Sequence, residues 1–109
     1  MRDKADLLQG TLDLLILNTL RGEPLHGWGI SKRIRELSKE MLQVNQGSLY
    51  PALYRLEERR WITPEWGISP EGRRAKFYRL TAAGKKQLVA EQAEWKHFSR
   101  AIELVLAGT

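Results

Sequence analysis

Residues 45–81, NQGSLYPALYRLEERRWITPEWGISPEGRRAKFYRLT, constrain the chain more than any other stretch. Leu49, Leu53 and Leu56 recur at helical spacing and form a stripe to be buried, leaving Tyr50, Tyr54 and Arg55 to flank it or look outward. Pro51 has no N–H, a loss tolerated in the first turn, where donors are unpaired anyway. The helix is expected to begin near Gly47 or Ser48, with Ser48 as its N-cap. Two strand-like runs follow at once, Trp61 to Ile68 and Ala75 to Leu80. Ser69-Pro70-Glu71-Gly72 joins them, and its proline at the second place and glycine at the fourth are type I turn chemistry. Pro64 suits an edge strand, because it cannot donate to a ladder.

The flanking segments are helical. Leu12, Leu15, Ile16 and Leu20 mark a helix from about Leu7 to Leu20, with Gly22 placed to stop it. Leu8, Leu14 and Leu17 fall outside that stripe, and so apolar a helix in a small domain calls for cover from a second subunit. Glu23-Pro24-Leu25-His26-Gly27 reads as a turn. Ile30, Ile34 and Leu37 then define a second helix, whose outer face carries Lys32, Arg33, Arg35 and Lys39. Thr81 is placed to cap a last helix running toward Leu106. Along it Leu88, Trp95, Phe98, Ile102 and Val105 sit near heptad a and d spacing, with Glu91 interrupting them. The predicted class is mainly α with a small β-hairpin wing. A winged helix-turn-helix domain would occupy residues 1–81 and a dimerisation helix residues 82–109, in one compact unit.

Composition narrows the chemistry. A chain of 109 residues makes one domain with a modest core. Eighteen Lys and Arg against 13 Asp and Glu, a formal net charge of +5, favour a polyanionic partner. The absence of cysteine excludes disulfides, thiolate zinc sites and Cys nucleophiles together. His26 and His97 have no companion at metal-ligand or triad spacing, and GWG precedes the second helix without the strand a phosphate loop requires. Glu57 and Glu58 read as a solvated helix pair. No catalytic residue, metal or cofactor is expected. The longest aliphatic run, Leu14 to Leu17, is far short of a membrane span, and the first residues lack a signal-peptide core, so a cytoplasmic protein without a membrane partner is expected.

A helix-turn-helix followed by a basic hairpin suits double-stranded DNA. The N-terminal end of the third helix would present Gln46, Ser48 and Tyr50 to base edges, with Tyr54 one turn further on and Arg55 beside it. Arg73, Arg74 and Lys76, at or beside the hairpin tip, would reach phosphates or the adjacent minor groove. Trp61, Trp66, Phe77 and Tyr78 are expected to pack the wing against the helices rather than stack on bases. Tyr50 and Tyr54, neighbours at i and i+4, suit either burial or contact. Two other readings stay open: a winged-helix module that binds a protein and not DNA, and an RNA binder. A steep salt dependence of duplex binding separates the first, and a single-strand preference marks the second.

The segments LLQGTLDLLILNTL, HGWGISKRI, QGSLYPALYRLEERRWI and EWGISPEGRRAKFYRLTAAGKKQL give a resemblance over nearly the whole chain. Together, GSLYPAL and GRRAKFYRLT make the chain resemble PadR-family transcriptional regulators of the short C-terminal-helix type. The resemblance implies a homodimeric DNA-binding protein, usually a repressor on a two-fold-related operator, whose last helix packs against the partner's first. It places Ser48, Tyr50 and Pro51 on the recognition helix and Arg73, Arg74 and Lys76 on the wing. In the drug-sensing members a tryptophan of the last helix lines a flat pore at the dimer centre. Trp95 stands at the matching distance, with Leu7, Gly10 and Leu14 facing it, as a candidate site for a small aromatic or apolar effector. Trp95 also reads as a heptad residue of the dimer seam. One departure is Arg60, where the family often has glycine. If that position needs a positive φ, arginine costs about 1 kcal/mol there and offers DNA a further cation.

Overall fold

The computed structural model describes residues 4–108, with side chains from residue 10 onward. The elements among them are α1 (Lys4–Thr19), β1 (Leu25–His26), α2 (Gly27–Leu37), α3 (Gln46–Glu58), β2 (Ile62–Ile68), β3 (Arg74–Leu80) and α4 (Ala82–Ala107). Ile16 and Leu17 of α1, Ile30 of α2, Leu49, Leu53 and Leu56 of α3 and Ile62 of β2 are fully buried together, so three helices close over the root of the hairpin. Leu17 belongs to this core, although the periodicity set it outside the buried stripe. The chain covers it without a second subunit, and Leu14 and Leu15 pack partly buried on the same cluster. Leu37 departs the other way. Expected on the inner face, it is exposed, because it is the last helical residue of α2 and the chain turns away there.

The sheet has three strands, where a two-stranded hairpin was expected. Leu25 and His26, read from sequence as part of a turn, pair antiparallel with Tyr78 and Phe77, giving the order β1-β3-β2. Two residues are too few to show a period of two in the sequence. The β2–β3 register runs from Ile62 opposite Leu80 to Ile68 opposite Arg74. Pro64 thus lies on an outer strand, where a missing N–H is tolerated. Between the strands, the Gly72 N–H donates to the Ser69 carbonyl at 2.8 Å, and Gly72 takes φ +81°, a conformation easiest without a Cβ.

Helix ends set the rest of the frame. The N-cap of α3 is Asn45, not Ser48: the Asn45 side-chain oxygen accepts from the Ser48 N–H at 2.8 Å. Asn and Ser are equally good caps, and spacing alone did not separate them. Pro51 consequently sits in the second turn, deeper than its chemistry suggested. The bond it forfeits would go to Gly47, and both residues are exposed, so water can satisfy that carbonyl. At the other end Arg60 has φ 62°, its N–H donates to the Glu57 carbonyl at 3.0 Å, and the Trp61 N–H reaches Leu56 at 3.1 Å. This is the paired closure that usually recruits glycine. The end of α2 repeats it with Lys39 at φ 53°. Thr81 caps α4 as expected, its hydroxyl oxygen accepting from the Gly84 N–H at 2.9 Å.

Candidate nucleic-acid interface

The outer face of α3 is fixed by its inner one. Leu49, Ala52, Leu53 and Leu56 point into the core, which leaves Gln46, Ser48, Tyr50, Pro51 and Tyr54 exposed along one side. Tyr50 is seated over the bare backbone of Gly27: a Cβ at that glycine would lie 2.7 Å from the Tyr50 hydroxyl oxygen. The Tyr54 phenol is pushed above its ordinary value, first by its hydrogen bond to Glu58 and then by that carboxylate's charge. Arg55, grouped with these residues by sequence, is turned toward α1, where its Nη2 meets Asp13 Oδ1 at 2.8 Å. Burial drives the Asp13 carboxyl above its usual range, more than Arg55 draws it down. This pair ties α3 to α1.

Between the wing and the starts of α2 and α3 runs an open groove of about 510 Å³, whose walls include Trp28, Tyr50, Trp66, Arg73, Arg74 and Lys76. Arg73 and Arg74 are exposed at the tip. Trp66, expected to pack against the helices, is 60% exposed, with the Arg74 guanidinium carbon 4.7 Å from its ring centroid. Alternation explains the difference. Ile62, Trp66, Lys76, Tyr78 and Leu80 share one face of the hairpin. Near the root that face is buried by the helices, as Ile62, Tyr78 and Leu80 show; toward the tip it overhangs them and becomes a groove wall. Phe77, on the opposite face, packs against His26 with ring centroids 5.2 Å apart.

Two groove residues went unrecognised in the sequence. Trp28 is 54% exposed at the start of α2, with the Lys32 ammonium 5.1 Å from its ring centroid. His26, read as a turn residue, caps α2 by accepting from the Gly29 N–H at Nδ1, 3.0 Å away, and lines the same groove. Only the strand pairing of β1 brings either near the wing, so no local signal marked them. Lys76 is half-buried, and its Nζ lies 3.2 Å from Glu57 Oε1. Glu57 is accordingly no solvated partner of Glu58.

A second hollow, of about 280 Å³, lies between α1 and α4. Gly10 and Leu14 line it with Glu91, Glu94, Trp95 and Phe98, so three residues named for an effector come together. The side chain of Leu7, the fourth, is outside the described residues. Glu91 Oε1 accepts from Gln87 Nε2 at 3.0 Å, whereas Oε2 is buried without a partner. Burial pushes this carboxyl above the ordinary carboxylate range, against the pull of Gln87. Among the described residues no cluster of His, Cys, Asp or Glu could hold a metal, and no helix is long and apolar enough to cross a membrane.

An exposed helix face held beside a three-stranded sheet with a basic wing defines a winged helix-turn-helix protein. Within that class the chain belongs to the PadR-like family of transcriptional regulators, whose family model matches residues 16–90. The solved structure of a transcriptional regulator from Clostridium thermocellum is similar with a TM-score of 0.81 and 31% identity, covering 90% of this chain and 95% of that one. A PadR family transcription regulator from Clostridium difficile gives a TM-score of 0.75 and 30% identity, over 87% and 97% of the two chains. The transcriptional regulator Rv3488 of Mycobacterium tuberculosis is 30% identical over 89 residues, 82% of this chain and 79% of that protein.

Proposed function

We propose that the protein is a cytoplasmic homodimer that binds a two-fold-related DNA operator and represses the genes beside it. The observation that carries the reading is the exposed face of α3, with Gln46, Ser48, Tyr50 and Tyr54, set beside a groove walled by Arg73 and Arg74. In this assignment the α3 side chains read base edges in the major groove and Pro51 lies against the DNA beside them. The two wing arginines hold phosphates. Arg55 takes no part, because its guanidinium is engaged by Asp13. Dimerisation is supported by Trp95, Phe98, Ile102 and Val105, which α4 leaves exposed at near-heptad spacing. The hollow at Trp95 is assigned to a small aromatic or apolar effector, which would release DNA only by favouring a dimer state that binds it less well.

The test is selection of duplexes from genomic fragments, followed by titration of the selected duplex over a range of salt. Arg73 and Arg74 of two protomers contacting four phosphates give a slope of log K against log salt of about −3.6. A slope near zero, or equal binding of every duplex by wild type and Tyr50→Ala, contradicts the assignment.

A further inference from the structure

Lys76 lies in the cationic groove, yet its charge is already engaged. Its Nζ is 3.2 Å from Glu57 Oε1, and both side chains are about two-thirds covered, at 37% and 32% exposure. The same ammonium sits 5.5 Å from the centroid of the Tyr78 ring, one pleat along β3. Tyr78 is itself buried in the core beneath the hairpin. One lysine thus joins three parts: the last turn of the third helix through Glu57, the central strand of the sheet, and the core through Tyr78. The ammonium is held inside the protein by a carboxylate and a ring, and the ion pair neutralises it as a contact for a phosphate.

We propose that Lys76 and Glu57 are positioning residues, a brace that sets the separation of the wing from the recognition helix, while Arg73 and Arg74 supply the wing's phosphate contacts. The proposal rests on the DNA-binding reading above. A brace fits the position of Glu57, which places a carboxylate against Lys76, a cation of the groove wall. If the carboxylate did nothing, it would only repel the phosphates. The hairpin leaves the core at Tyr78 and Leu80, and its tip lies at Gly72, so a small rotation about the root moves Arg73 and Arg74 most. A partly exposed ion pair contributes little to stability. Its effect should appear in the fit to one duplex rather than in melting.

The two roles predict opposite results for Glu57→Gln and Lys76→Met, titrated against the selected duplex and a random duplex over a salt series. With the brace, each variant binds the selected duplex about 5- to 10-fold more weakly, while the salt slope of Lys76→Met stays within about 0.5 of wild type. The double variant is no weaker than the poorer single one, Lys76→Arg retains wild-type affinity, and all four melt within a few degrees of the parent. Arg74→Ala, in the same series, flattens the slope by about 2 per dimer. The proposal is overturned if Lys76→Met flattens the slope by that amount, or if Glu57→Gln tightens binding to both duplexes, as loss of a merely repulsive charge would. Steep wild-type binding with either result removes the brace alone; no salt-dependent binding by wild type removes the DNA reading with it.

Discussion

The Thr81 hydroxyl donates to the carbonyl oxygen of Arg60 at 2.7 Å, fastening the first residue before α4 to the closing turn of α3. The same oxygen accepts from the Gly84 N–H, and the Thr81 N–H donates to the Trp61 carbonyl at 3.0 Å. One side chain therefore caps one helix and ties down the end of another. Thr81→Ala should lose about 1–2 kcal/mol, the upper part of the range for a cap, because a second bond goes with it. Chemical denaturation of the two proteins side by side measures this. Thr81→Ser, which keeps the hydroxyl, should recover most of the loss.

Arg60 supplies a gain. Its φ of 62° lies where a Cβ is unfavourable, and nothing in its closure bonds needs the side chain. Arg60→Gly should stabilise the fold by roughly 0.5–1 kcal/mol after the extra freedom of glycine in the unfolded chain is subtracted. Arg60→Val should destabilise it. A melting temperature lowered by the glycine would refute the strain argument.

Glu91 makes stability depend on pH. Its folded-state pKa is raised, by burial first, so just above the ordinary value the native state holds the proton more tightly than the unfolded chain does. Stability from this group is full below the ordinary glutamate value of 4.5 and is lost as pH rises through the higher folded value. Glu91→Gln should raise the melting temperature near neutral pH, and the advantage should vanish toward pH 4. An advantage that grew on acidification would reverse the sign and refute the assignment.

The two groove tryptophans should matter for DNA and little for folding. Trp66→Ala and Trp28→Ala each remove an exposed ring with a cation over it, so melting should change by less than about 1 kcal/mol. Affinity for the selected duplex should fall about 10-fold for Trp66→Ala, because the ring and the aligned Arg74 are lost together. Intact affinity would leave Trp66 as surface only.

Much of this architecture is legible in the residues themselves. The turn at Ser69 to Gly72, the cap at Thr81, the edge position of Pro64 and the stripe of Leu49, Leu53 and Leu56 follow from local chemistry, and each stands as expected. What the sequence hid depends on distance in space. β1 exists because Leu25 and His26 meet Tyr78 and Phe77, more than fifty residues away in the chain. Trp66 lies on the predicted face but overhangs the helices, a matter of where they end. Lys76 and Arg55 read as free cations because the carboxylates that hold them, Glu57 and Asp13, sit on other elements or, for Asp13, another helix. Asn45 displaced Ser48 as cap by a choice between chemical equals.

Gly84 has one further consequence. Any Cβ there would collide with the Trp61 carbonyl oxygen, so the first turn of α4 lies against the backbone that leaves α3 and cannot swing separately from it. The 26 residues of α4 then behave as a lever arm about 39 Å long. In a symmetric pair gripped at the far ends of these arms, a tilt of about 10° would carry each α3 roughly 7 Å, or two steps of ~3.4 Å along a DNA strand. A glycine with no part in any contact to DNA would thereby convert a small change in crossing angle into a mismatch of register.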